Sequence, residues 1–244
     1  MSSRNPGTVA LVRRLALESV VIIGSILAAF ALDTWWDGVQ ERRDERLVLD
    51  ALHAEFSAAR DVLVEYRGLQ ARVLTSVSSS LDALDAAHAS GRRSVAIPDT
   101  ALALMFVPPT TQLSLGTLEG LVASSRLGII QDRELRALLG GWGSNLAELT
   151  EEEEGSRDFV GNQVEAVFWN RMNTTSFRTL VDSVFPVSLS PERLAATSRV
   201  PVDEPMVGVF ATRSSLLRHA LEEFQPVFAE VDSILAGIER SRAY

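Results

Sequence analysis

The sequence predicts an all-α protein: an N-terminal transmembrane helix continuous with a long helix, and behind it an antiparallel bundle of three to four helices. Three observations predict this. An apolar run near the start is long enough to span a bilayer, two long stretches place apolar residues alternately three and four apart, and no run alternates with period two for long enough to demand a sheet. The division that follows is 1–14 as a cytoplasmic segment, 15–36 as the transmembrane helix and 37–244 as the extramembrane bundle.

The run from Leu15 to Leu32 is apolar except for Glu18 and two serines. As a helix of 18 residues it would rise about 27 Å, close to the hydrocarbon thickness. Arg13 and Arg14 precede it, while Trp35 and Trp36 follow, where indole rings favour the boundary between headgroup and acyl chain. A cleaved signal peptide competes, because Ala29-Phe30-Ala31 has the form of a cleavage site, but Glu18 would interrupt its apolar core. Glu18 lies four residues from Arg14, so the two can pair on one helix face. Gly24 with Ala28, and Ser25 with Ala29, form small-xxx-small pairs that let two helices approach closely. The arginines nearest the span precede it, which points to a cytoplasmic N-terminus and a periplasmic bundle at the inner membrane.

Beyond the Trp pair, Leu49, Leu52, Phe56, Ala59, Leu63, Tyr66, Gln70, Val73 and Val77 form a heptad seam. A four-residue step from Val77 to Leu81, then Leu84 and His88, predicts a stutter. A second seam runs through Val207, Phe210, Ser214, Leu217, Leu221, Phe224, Phe228, Val231, Leu235 and Ile238, with Pro226 off the apolar stripe as a kink. A third helix starts at Asp132 as N-cap and carries Leu135, Leu139, Trp142, Leu146 and Leu149, then Val160, Val164 and Val167. Gly140, Gly141, Gly143 and the acidic run Glu151 to Glu154 predict a bend in its middle. Short helices are expected around Asp99 to Phe106 and Leu115 to Ser125. Connections fall at Gly91 to Pro98, Pro108 to Thr111 and Asn173 to Pro191.

Composition narrows the function. With 46% hydrophobic residues the chain of 244 can bury a sizeable core, and a net charge of −9 argues against a nucleic-acid partner. All 23 basic residues are arginine. Cysteine is absent, which excludes disulfides and thiol chemistry.

Two stretches resemble a family of uncharacterised bacterial single-pass membrane proteins, a domain of unknown function. One runs from Glu18 through Trp35 to Glu55: a Glu, a Gly-containing apolar run, a Trp, and a helix with Arg and Glu. The other, from Thr117, reads TLEGLVASSRLGIIQDRELRALL. It departs from the family at Ser125-Arg126, where a Gly is more usual. The resemblance implies architecture and anchoring, and no activity.

Three histidines sit three residues from a carboxylate: Asp50 with His53, Asp85 with His88, and His219 with Glu222. Such pairs share a helix face, as in carboxylate-bridged metal sites of helical bundles. The paired inward Glu-x-x-His repeats of those sites are missing, so no metal and no cofactor is expected. No Gly-x-Ser-x-Gly elbow or Gly-rich phosphate loop occurs, and Trp142 and Trp169 read as core aromatics rather than a ligand cage. The expected function is a non-enzymatic, membrane-anchored structural or partner-binding component of the envelope. Membrane lipid, further copies of the chain or another envelope protein are its expected partners. The alternatives are a sensor-like bundle holding a small ligand near Gly140 to Glu154, and a metal-dependent enzyme.

Overall fold

Heptad spacing with no proline after Pro6 to break it folds the first half of the bundle into one helix, α1 (Pro6–Ala89), which tolerates Gly68 along the seam. The computed structural model describes residues 6–108, 110, 111, 113–175, 180 and 190–243, and the side chains of these except for 6–22, 145, 193 and 194. Along α1 the inward positions are Leu49, Leu52, Phe56, Ala59, Leu63, Tyr66, Gln70, Val73, Val77, Ser80, Leu84 and Ala87, all buried apart from half-buried Tyr66. Steps of three and four alternate throughout. The expected stutter at Leu81 is therefore absent: Ser80 takes the core position, its hydroxyl satisfied by the Ser76 carbonyl at 2.8 Å, and His88 is exposed.

The transmembrane element expected at 15–36 is corrected. Residues 15–22 lie outside the described side chains, and the described apolar run, 23–32, ends at Asp33. That run rises only about 15 Å, roughly half the hydrocarbon thickness. No helix among the described residues is long and apolar enough to cross a membrane. The single-pass description lapses with it.

After α1 the chain forms β1 (Ser94–Pro98), α2 (Asp99–Leu104), α3 (Gly116–Ala123) and a single 3-10 turn at Leu127–Ile129. A third helical line follows, made of α4 (Arg133–Gly141), α5 (Gly143–Phe159), a π-helical segment (Val160–Val164) and α6 (Glu165–Arg171). Asp132 caps α4 as expected, its Oδ1 accepting from the amides of Glu134 at 2.8 Å and Leu135 at 3.1 Å. The helical line is broken at Trp142, between α4 and α5 and beside the glycines, whereas the acidic run Glu151 to Glu154 lies uninterrupted inside α5. The one-turn α7 (Pro191–Leu194), β2 (Thr197–Pro201) and the long α8 (Glu204–Arg242) complete the order. Most of the connection expected at Asn173 to Pro191, namely 176–179 and 181–189, lies outside the described residues.

A purely helical fold is corrected too, because β1 and β2 pair antiparallel with Ile97 opposite Ser198 and Val95 opposite Val200. Each strand has five residues and buries one apolar side chain, Ile97 or Val200. That is too little alternation to show in the sequence.

Helix α8 packs antiparallel along α1. Four cross-helix pairs fix the register: Asp50 with Arg242, His53 with Glu239, Arg60 with Asp232, and Ser78 with Ser214. In each the residue numbers add to 292, so no slip occurs along the shared length. Pro226 is exposed within α8 and leaves the helix continuous. The inward positions of α8 are Met206, Phe210, Arg213, Leu217, Ala220, Phe224, Val227, Val231, Ile234 and Ile238. Of the ten expected seam positions six are buried, Ser214 beside Arg213 among them. Val207, Leu221, Phe228 and Leu235 each lie one residue past the true core position and are half-buried.

The core falls into two apolar clusters along the rod. One gathers Leu49 to Leu63, α3, α4, Trp142 and the end of α8, with Phe56 and Trp142 edge to face at 5.2 Å. The other gathers Val73 to Leu84, the strands, α2, the π segment, α6 and the start of α8, centred on Phe168 between Phe106 at 5.1 Å and Phe210 at 5.9 Å. Gln70 on α1 and Glu153 and Ser156 on α5 are buried and fall, along their helices, between the two clusters.

Candidate functional site

Two features stand out from the packed rod. The first is the stretch of α1 that precedes the bundle. Ile23, Ile26, Leu27, Phe30 and Leu32 are exposed, as are Trp35 at 58% and Trp36 at 56%. Their apolar side chains go round the helix rather than along one stripe, a pattern found on helices that are buried in use. Gly24 and Ala28 lie on this exposed stretch, and a Cβ added at Gly24 would meet nothing within 4 Å. Trp35 and Trp36 hold their rings 6.4 Å apart and tilted by 55°, and with Ile26, Phe30 and Leu32 they border an open groove of about 810 Å³. Of the residues expected to act in anchoring and helix packing, Gly24, Ala28, Trp35 and Trp36 thus share one exposed segment. The side chains of Arg14 and Glu18, and so their expected pair, lie outside the described residues.

The second feature is buried. Arg213, on the inward face of α8, is fully buried. Its Nη2 donates to the Val107 carbonyl at 2.7 Å, its Nη1 donates to the Ser156 hydroxyl, and its Nε has no partner. Burial pushes its pKa down to about 10, so the guanidinium stays charged at neutral pH. One turn before Ser156 on α5, Glu153 is 3% exposed and accepts from the Thr111 amide at 2.8 Å and the Thr111 hydroxyl at 2.9 Å. Burial raises its pKa against the opposing effect of those hydrogen bonds. The two charges do not pair. They hold the two ends of the same connection, Arg213 at Val107 and Glu153 at Thr111.

Acidic residues of α1 hold the next connection in the same manner. Glu55 Oε1 accepts from the Thr117 amide and hydroxyl, both at 2.7 Å, which supplies the cap that Leu115 cannot give α3. Glu45 Oε1 accepts from the Gln131 amide at 2.7 Å. Periodicity could not find Glu45, Glu55, Glu153 or Arg213, since each serves an irregular segment distant in sequence. Glu55 and Thr117, however, end and begin the two stretches quoted for the family resemblance, and the fold brings them into contact.

The histidines stay apart. His53 lies 3.9 Å from Glu239, Asp50 pairs with Arg242 at 2.7 Å, and His88 and His219 are exposed. Among the described residues no group of three metal-binding side chains converges. Trp142 is a core aromatic as expected, whereas Trp169 is exposed.

No family model, curated protein or solved structure matches the chain. The family resemblance stays an expectation that rests on the residues quoted for it.

Proposed function

We propose that the chain is a non-catalytic helical binding module that self-associates through the exposed apolar segment of α1 ahead of the bundle. The observation that carries this reading is the exposure of Ile23, Ile26, Leu27, Phe30, Leu32, Trp35 and Trp36 on one uncovered helix. Burying one such side chain is worth about 1.5–3 kcal/mol, so seven left in water represent a strong drive to find a cover. The small residues Gly24 and Ala28 allow close approach of a second helix on one side, and the Phe and Trp side chains supply area on the others.

The test compares the full chain with residues 37–244 by sedimentation velocity in mild detergent, alongside the double variant Gly24→Leu, Ala28→Leu. The full chain should form a defined oligomer, the shortened chain should be monomeric, and the double variant should be weakened at least tenfold. A monomeric full chain would end the proposal.

A lipid surface is a second reading, favoured by the Trp pair standing between the apolar run and the charged stretch from Glu41 to Arg46. Flotation of the full chain with vesicles, lost on removing 1–36 and with no oligomer in detergent, would decide for it.

A further inference from the structure

At the end of the bundle nearest the apolar segment, α1, the turn before α4 and the end of α8 enclose a cavity of about 410 Å³. Three arginines border it, Arg42 and Arg46 from α1 and Arg240 from α8. Its two carboxylates are each engaged at one oxygen, Glu45 by the Gln131 amide and Asp132 by the amides of Glu134 and Leu135, while the Ser241 hydroxyl donates to the Gly237 carbonyl at 3.0 Å and lies 3.5 Å from the second Asp132 oxygen. The arginines are much freer. Arg240 reaches only Glu134 at 3.5 Å, at an exposed position, and Arg42 and Arg46 make no ion pair among the described residues. In a chain of net charge −9 most positive charge is offset, so a concave site with more guanidinium than free carboxylate runs against the overall balance.

We propose that this cavity binds a phosphate-bearing ligand. Guanidinium groups present planar forks that match oxyanions, and three from two helices suit a tetrahedral group with several oxygens better than a single carboxylate. The Gln131 side-chain amide, which also borders the cavity, is available as a neutral donor, whereas the Ser241 hydroxyl is already committed to the Gly237 carbonyl. The volume exceeds that of a bare ion and fits a phosphate with an organic group attached. Trp36 lies six residues before Arg42, about 9 Å along the helix axis, so the attached group can be the apolar part of a lipid as readily as a soluble one. The proposal stands apart from self-association and does not require it.

Calorimetry of the full chain in mild detergent at low salt with glycerol phosphate tests the soluble source. Flotation with phosphatidylglycerol vesicles, against vesicles of an uncharged glycolipid, tests the lipid source. Arg42→Gln, Arg46→Gln and Arg240→Gln should each lower the association constant about tenfold, and Arg126→Gln, exposed and outside the cavity, should not. Unchanged circular dichroism and melting of each variant confirm the fold, and Arg46→Lys should retain part of the affinity. Binding of glycerol phosphate lost in the cavity variants supports a soluble ligand. A preference for phosphatidylglycerol that these variants alone abolish supports a lipid headgroup. If neither probe binds, or if Arg126→Gln weakens binding as much as the others, the proposal is overturned.

Discussion

Single residues at irregular positions carry much of this structure. Ser125 has φ 55°, the left-handed region that costs a non-glycine residue about 1 kcal/mol, and it follows α3 where the family resemblance places a Gly. Ser125→Gly should therefore raise stability by up to about 1 kcal/mol, read as a higher urea midpoint with an unchanged slope. Glu153 makes a pH-dependent contribution of definite sign. Its folded pKa lies above the ordinary carboxylate value, mainly through burial, so its contribution is fully present below the unfolded value. As pH rises through the unfolded value and then the folded one, the unfolded chain releases its proton first and this contribution is lost. The stability of the wild type should thus fall relative to Glu153→Gln over that window, and a constant difference between the two from pH 4 to pH 8 would contradict it. Gln retains a carbonyl oxygen for Thr111, which keeps the comparison about charge.

At the scale of elements, the α1 and α8 pair shows why a seam can be read correctly on one helix and displaced on the other. On α1 the inward positions before Ser80 are apolar save Gln70, and the reading holds from Leu49 to Val77. On α8 the inward set contains Arg213 and Ala220, while half-buried Leu221, Phe228 and Leu235 are more hydrophobic than Ala220 or as hydrophobic as their neighbours. Pattern matching then follows the larger side chains, about 100° round the helix from the true face. The two faces separate under mutation. Ile234→Ala, fully buried, should cost about 2–5 kcal/mol, and Leu235→Ala, half-buried, about 1 kcal/mol, as measured by urea unfolding. The small residue on this face has a purpose too: at Gly237 an added Cβ would stand 3.1 Å from Leu135 Cδ1, so α4 approaches α8 closely there.

For the whole molecule, the decisive contrast is between a well-covered rod and an uncovered helical end. Two apolar clusters and a constant antiparallel register secure the bundle, whereas nothing among the described residues covers 23–36.

The sequence by itself determined the helices that obey a period and the caps that are local. The α1 seam from Leu49 to Val77, the Asp132 cap, the break at Trp142 and six of the ten α8 seam positions were all legible, because each depends on residues within two or three turns of one another. Only the tertiary structure decided what depends on distant partners. The missing stutter at Ser80 and the rotation of α8 reflect packing between two helices, and the β1–β2 pair joins residues about a hundred positions apart with too few apolar side chains to mark either strand. The same holds for the candidate sites. The apolarity around Gly24, Ala28, Trp35 and Trp36 is local and can be read in sequence, their exposure is a tertiary fact, their part in helix packing stays a proposal, and the apolar helix among the described residues falls short of a span. The Arg213 and Glu153 contacts and the arginine-lined cavity were not legible, because a charge reads as solvent-facing in sequence until another element folds over it.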